Sequence, residues 1–269
     1  MTSRALFDRD FVLRIGDRLI RNTDQSTLRI EFKVTRTLGR EPNKADISIT
    51  NLNEESRALF QEKNRPVVLE AGYRENTSII FNGRVANTDI EQLPTGWLVR
   101  VEATDAGANP RRARINRSQR GAAGLGDLAG VALEALGVGQ GNLADLGAPA
   151  FQNGAVISGR ADQQVEKLAR RSRARFSIQD GQALFLRRGQ VRRGPTPLIS
   201  ASSGMVGSPQ IGERGAVTLT AKIQPNLAPG FGFRLESRTV SGFYRVEKAT
   251  YTGDSWGNAW IVAIEGAPI

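Results

Sequence analysis

Carboxylates are the residues of this chain whose types and spacing come closest to a catalytic pattern. Glu54 and Glu55 are adjacent, and Asp89 and Glu91 are two positions apart. Two carboxylates on one surface can serve as the acid and base of a glycosidase. The first pair begins a short polar helix and the second lies along an alternating strand, so neither marks a cleft. A cell-wall hydrolase stays open as an alternative, and we predict that the chain is not an enzyme.

Histidine and cysteine are absent from the sequence. This excludes disulfides, imidazole and thiolate metal sites, and nucleophiles that depend on a Ser/His or Cys/His pair. We therefore expect no catalytic residue, no metal site and no cofactor.

Two glycine-rich runs, 121–126 and 137–141, have the composition of a phosphate-binding loop. Neither is followed by Lys-Ser or Lys-Thr, and the first follows an arginine-rich segment with no clear strand before it. We predict that both runs are connectors.

Five arginines and no acidic residue lie within positions 111–120: Arg111, Arg112, Arg114, Arg117 and Arg120. Such a run can follow a nucleic-acid backbone, which leaves a stand-alone nucleic-acid-binding protein as an alternative. No aromatic residue is interleaved for stacking, and no helix-turn-helix, zinc or RNA-module signature accompanies the run. We favour an exposed loop that docks on an acidic protein surface, where guanidinium groups bind carboxylates, and predict no dedicated nucleic-acid site.

The net charge of +10 is unevenly distributed. Residues 111–193 carry 15 basic and 6 acidic side chains, whereas residues 1–110 carry 16 of each. The basic middle of the chain is therefore expected to be a separate unit with its own partner.

The elements around these residues are mostly strands. In the first third, Leu28–Val34 alternates between apolar and charged residues, and further strands are predicted at 45–50, 67–73 and 79–85. Asn51 or Asn53 is expected to cap a short helix at 54–61. A hairpin is predicted from 89–92 to 97–102.

The middle third predicts two helices and one hairpin. Apolar residues at helical spacing from Leu125 to Leu136 end at Gly137, and a second helix is expected at 161–172. The segment 137–159 between them is predicted to be a glycine-rich loop. Asp180-Gly181 favours a type I′ hairpin turn.

Period-two alternation returns in the last quarter. Strands are predicted at 217–222, 231–236, 244–251 and 260–264, with turns at 225–230 and 253–258.

Two parts of the chain resemble the small tail hub, or baseplate hub, proteins of long-tailed bacteriophages. The first is ADISITNLNEESRALF (45–60) with PVVLEAGY (66–73) and SIIFNGRV (78–85). The second is the ordered set from 204 to 260 that includes Pro225-Asn226, Pro229-Gly230, Tyr244-Arg245-Val246 and Gly253-Asp254. The resemblance implies two β domains related to the tail-tube fold and a ring-forming homotrimer that adapts a hexameric tail tube to a trimeric central spike.

These observations together predict a mainly β protein with a smaller α/β insert. Two tube-like antiparallel β-barrel or sandwich domains, at 1–105 and 196–269, would flank a basic α+β domain at 106–195. The resemblance implies a structural virion protein of the tail baseplate, assembled in the host bacterial cytoplasm. Its expected partners are tube, spike, tape-measure and other baseplate proteins. No segment is apolar and long enough to span a membrane, and no signal peptide is evident.

Overall fold

Antiparallel strands dominate the structure, a computed structural model that describes residues 8–21, 28–74, 76–105, 112–147, 151–224 and 226–269. The first part contains β1 (Arg9–Ile15), β2 (Arg18–Arg21), β3 (Arg29–Thr37), β4 (Lys44–Thr50), α1 (Glu54–Phe60), β5 (Pro66–Tyr73), β6 (Asn76–Leu93) and β7 (Gly96–Thr104). Asn53 caps α1, since its side chain accepts a hydrogen bond of 2.9 Å from the backbone N–H of Ser56. The predicted strands at 79–85 and 89–92 are one strand, β6, because both stretches pair with their neighbours without an intervening turn.

The middle part has two helices packed on two small sheets. Its elements are β8 (Arg114–Gln119), α2 (Leu125–Leu136), a 3₁₀ turn at Leu143–Leu146, β9 (Ala155–Arg160), α3 (Ala161–Arg171), β10 (Ala174–Gln179) and β11 (Gln182–Arg187). Gly137 ends α2 in the left-handed conformation, with φ of 67°. Asp180 and Gly181 both have positive φ, as the predicted type I′ turn requires.

Strands return in the last part, which contains β12 (Leu198–Ile199), β13 (Met205–Ile211), a 3₁₀ turn at Glu213–Gly215, β14 (Val217–Lys222), β15 (Gly232–Glu236), β16 (Ser241–Asp254) and β17 (Trp260–Pro268). Alternation predicted the last four of these strands. Pro225, in the predicted turn at 225–230, lies outside the described residues.

A single sheet of 13 strands joins the first and last parts in the order β13-β14-β17-β16-β3-β4-β7-β6-β5-β1-β2, with β12 and β15 attached beside β16. The junction is the antiparallel pair of β3 and β16, in which Val34 lies opposite Tyr251. The mainly β, antiparallel character is as predicted. The division at 105 and 196 stays a prediction.

Two large hydrophobic cores follow this arrangement. One contains residues from both the first and last parts, including Phe32, Tyr251 and Trp260. The other lies within the middle part and includes Leu128, Val165 and Phe185. The middle part therefore has a hydrophobic core of its own.

Two predicted loops contain strands, which corrects the sequence analysis. Residues 114–119 of the arginine run form β8, and residues 155–160 of the predicted 137–159 loop form its partner β9. Each strand buries an isoleucine, Ile115 or Ile157, against the insert core. One apolar residue is too weak a pattern to reveal a strand within a polar run.

Among the described residues, no helix is both long and apolar enough to cross a membrane.

Candidate docking surface

The predicted docking arginines lie on and beside strand β8. Arg114 is opposite Arg160 of β9, and Arg117 is opposite Ile157. We name Arg112, Arg114, Arg117 and Arg120 the arginine surface. Arg111 lies outside the described residues.

All four side chains of the arginine surface are exposed. Within the described ranges, none of them forms an ion pair or a side-chain hydrogen bond. The neighbouring Arg160 differs, since its guanidinium binds Asp162 at 2.6 Å. The structure therefore brings four of the predicted arginines to one small sheet and leaves their donors available to another molecule.

Packing explains the outward direction of Arg114. Side chains alternate along β8, and Ile115 turns inward to the core beneath helices α2 and α3, which leaves Arg114 on the outer face. Arg117 shares the face of Ile115 but is exposed. Val156, opposite Ser118 on the neighbouring strand, is 71% exposed. An exposed apolar side chain beside unpaired guanidinium groups suits a protein surface that offers carboxylates around an apolar contact.

The insert is attached to the large sheet by a buried polar network that the sequence analysis missed. Arg36 of β3, 2% exposed, binds the Asp180 carboxylate at 2.6 Å. The Gln179 side chain donates to the carbonyl of Thr37 at 2.7 Å. The Asp180-Gly181 turn predicted this hairpin. No sequence pattern predicted that the hairpin would contact Arg36.

Asp105 completes the junction where the first part ends. Its carboxyl group accepts hydrogen bonds from the Asn43 backbone N–H at 2.8 Å, from the Asn43 side chain at 2.6 Å and from the Asp180 backbone N–H at 3.1 Å. Burial raises the pKa of Asp105 to about 7, although the hydrogen bonds from Asn43 oppose the shift. The junction thus holds a carboxyl group that titrates near neutral pH.

Surface ion pairs add to the attachment. Arg175 of β10 binds Glu247 of β16 at 2.8 Å, and Arg40 binds Glu166 of α3 at 3.0 Å. Exposed pairs of this kind contribute little free energy individually. We therefore attribute the orientation of the insert on the large sheet mainly to the buried network.

The structure places the two carboxylate pairs at a helix start and beside an arginine. Glu54 and Glu55 lie in the first turn of α1, where they complement the helix dipole. Asp89 and Glu91 both bind Arg100, at 3.3 and 2.7 Å. In the part of the chain that the structure describes, no group of three acidic residues is placed to hold a metal ion.

The first glycine run does follow a strand, β8, and it leads into α2, which corrects one premise of the sequence analysis. Gly124 is the N-cap residue, yet Asp127 lies in the first turn with its carboxylate close to it. A negative charge at a helix start disfavours a bound phosphate there.

The three tryptophans lie in different environments. Trp260 is buried, Trp256 is 62% exposed, and Trp97 lies under the Arg57 guanidinium at 4.3 Å.

Comparison with known proteins identifies the fold and the family. The family described as baseplate hub gp41 matches residues 11–266. Solved structures with this fold include the 43 kDa tail protein of prophage MuSo2 from Shewanella oneidensis (10% identity, 97% of each chain, TM-score 0.69). The tail protein from Neisseria meningitidis MC58 is also similar (8% identity, 97% of this chain, 96% of that chain, TM-score 0.67).

A third structure is the E. coli c3393 protein, a component of the type VI secretion system described as similar to the T4 bacteriophage tail proteins gp27 and gp5 (12% identity, 96% of this chain, 76% of that chain, TM-score 0.59). At these identities the likeness is one of fold. No curated protein matches the sequence.

Proposed function

The chain belongs to the baseplate hub gp41 family, and on this premise we propose that it is a structural hub that assembles into a trimeric ring between the tail tube and the central spike. Its work is assembly, and it needs no bound cofactor or chemical step. In the virion it would lie in the tail baseplate.

The observation that supports the ring is that the large sheet has an edge strand in the first part of the chain and another in the last part. Strands β2 and β13 end the main strand order of the described sheet, and the two-residue strand β12 ends its side branch. Each edge strand exposes apolar side chains, namely Leu19 on β2 and Val206 and Ile211 on β13, the last 58% exposed. An unpaired edge with exposed apolar residues is a template for strand addition by another chain.

A ring follows if β2 of one copy pairs with β13 of the next. Such a contact is head-to-tail, because it joins two different surfaces of the chain. Head-to-tail contacts form a closed ring when the rotation from each copy to the next divides a full turn evenly. Each copy has a first and a last strand-rich part, so three copies would present six similar units to a hexameric tube. The three whole chains would match the threefold symmetry of a trimeric spike.

The arginine surface is the proposed contact for a further partner. Arg111, Arg112, Arg114, Arg117 and Arg120 would dock on an acidic surface of the spike, the tape-measure protein or a neighbouring baseplate protein. Arg112, Arg114, Arg117 and Arg120 are exposed and have no ion-pair partner among the described residues, which supports this assignment.

The test is the mass and shape of the purified protein, by light scattering and negative-stain imaging, alone and with the cognate tube protein. We expect a trimeric ring. Ile211→Lys should leave a folded monomer, because a charge on the edge blocks strand addition, whereas the control Val156→Lys on the insert should still form rings. A wild-type protein that stays monomeric with the tube protein present would contradict the proposal.

A further inference from the structure

A small cavity of about 200 Å³ lies where the insert, the first part and the last part meet. Its lining includes Arg36 of β3, Ser78 of β6, Asp180 of the insert hairpin, Arg192 beyond β11, and Tyr251 of β16. Two arginines and one acidic residue therefore line the same cavity.

Arg36 is the deepest of these groups. One terminal nitrogen donates to the Ile80 carbonyl at 3.1 Å, and the other donates to Asp180 at 2.6 Å and to Gln179 at 3.3 Å. Its Nε is buried and has no acceptor among the described residues. This Nε is closed to a molecule the size of water, and both terminal nitrogens are engaged, so Arg36 acts on the cavity through its charge.

Arg192 adds a second guanidinium group to the cavity lining. It stacks over the Phe231 ring at 4.5 Å and forms no ion pair with any described residue. Burial and the charge of Arg36 lower the pKa of Arg192, and Asp180 offsets this only partly. The two positive charges are thus incompletely neutralised.

Two further side chains of the lining can donate hydrogen bonds to a bound group. The Ser78 hydroxyl and the Asn226 side chain form no hydrogen bond with a described residue. Tyr251 donates its hydroxyl to the Leu227 carbonyl at 2.8 Å, which leaves its oxygen lone pairs free only to accept. Asp105 is the other acid close to Arg36, and its carboxyl is engaged by Asn43 and the Asp180 backbone.

We propose that this cavity binds one small inorganic oxyanion, of the size and charge of phosphate or sulfate. Such an ion offers several acceptor oxygens and a negative charge in one compact group, and it fits within about 200 Å³. A water molecule in the cavity would leave the excess positive charge in place. The bound oxyanion would accept hydrogen bonds from Arg192 of the insert boundary, would offset the charge of Arg36 of the large sheet, and would so stabilise the junction.

The experiment is isothermal titration calorimetry of the full-length protein with sodium phosphate and with sodium sulfate, at constant ionic strength maintained with sodium chloride. The Arg192→Gln variant removes one charge-assisted contact and should weaken phosphate binding by about tenfold or more. The Arg188→Gln variant is the matched control, because Arg188 is exposed on the same segment and does not line the cavity.

Saturable binding of either oxyanion to the wild type and to Arg188→Gln, weakened in Arg192→Gln, supports the proposal. Ser78→Ala gives a second test that leaves both charges intact, and it should weaken binding to a smaller extent. No saturable binding above the chloride background, or equal affinity in the wild type and Arg192→Gln, would overturn it. Failure of ring assembly has no bearing on this outcome, since the site lies within one chain.

Discussion

Trp260 donates its indole N–H to the backbone carbonyl of Gly72 at 2.7 Å, across 188 positions of sequence. The ring also packs edge-on against Phe32 at 5.3 Å. One side chain of the last strand thereby closes the core that the first and last parts share.

Replacing Trp260 with phenylalanine should destabilise the protein by about 2–4 kcal/mol, since it removes a buried hydrogen bond and part of the ring volume. Urea denaturation followed by circular dichroism measures the change. The control Trp256→Phe alters a side chain that is 62% exposed and should shift stability by less than about 0.5 kcal/mol. Equal effects of the two substitutions would contradict the shared core.

Acid should selectively weaken the contact between Arg29 and Asp254. The Arg29 hydrogen bond lowers the pKa of Asp254 to about 2, below its ordinary 3.8. Because the folded-state pKa is the lower one, the stabilisation is present at neutral pH and is lost as the pH falls from about 4 to about 2. Asp254→Asn should therefore be less stable than wild type at pH 7, with the difference shrinking toward pH 2.

Urea denaturation across this range measures that difference. Asp46→Asn is the control, because Asp46 is exposed and has no ion-pair partner among the described residues. If the free energies of unfolding of Asp254→Asn and wild type differ by the same amount from pH 7 to pH 2, the proposed role of this ion pair is refuted.

Near neutral pH, Asp105 should make the free energy of unfolding change with pH in the opposite direction. Its pKa of about 7 in the folded protein exceeds the ordinary 3.8, so the folded state binds more protons between these values. Its contribution to stability is complete below about pH 4 and is lost as the pH rises through about 7. We expect the free energy of unfolding to fall from pH 5 to pH 8, and Asp105→Asn to flatten this slope.

The chain has no histidine, so few other side chains titrate in that range. Denaturation curves at pH 5, 6, 7 and 8 provide the measurement. Identical slopes for the variant and the wild type would exclude Asp105 as the source.

Reversing the charge of Arg111, Arg112 and Arg114 together should weaken co-assembly with other baseplate proteins while each monomer stays folded. The physical reason is that glutamates at these positions repel an acidic partner. Recovery of assembled tail particles measures the effect, with circular dichroism to verify folding. Reversal of Arg173, Arg188 and Arg193, which are also exposed on the insert, is the matched control. Normal recovery from the first triple variant would count against docking through this run.

Local patterns in the sequence were enough to predict elements that are specified by residues close together in the chain. The alternation at 217–222 and 260–264 became β14 and β17, and Asn53 caps α1 as one of the two predicted candidates. The Asp180-Gly181 turn formed the expected hairpin. In each case the residues that specify the element lie within a few positions of one another.

The arginine run was harder to interpret, because its conformation depends on distant packing. Strand β8 contains one buried residue, Ile115, and gains its pairing from β9, which lies beyond α2. Composition alone indicated the charge of this surface but not its extended backbone.

By itself, the sequence determined the antiparallel strand content, the basic insert, the absence of thiol and imidazole chemistry and the resemblance to phage hubs. Tertiary structure alone decided that β3 pairs with β16, that Arg36 meets Asp180, and that two guanidinium groups share one small cavity. The reason is physical: backbone pairing and buried ion pairs between remote segments depend on how whole sheets and cores pack, and no local periodicity records them.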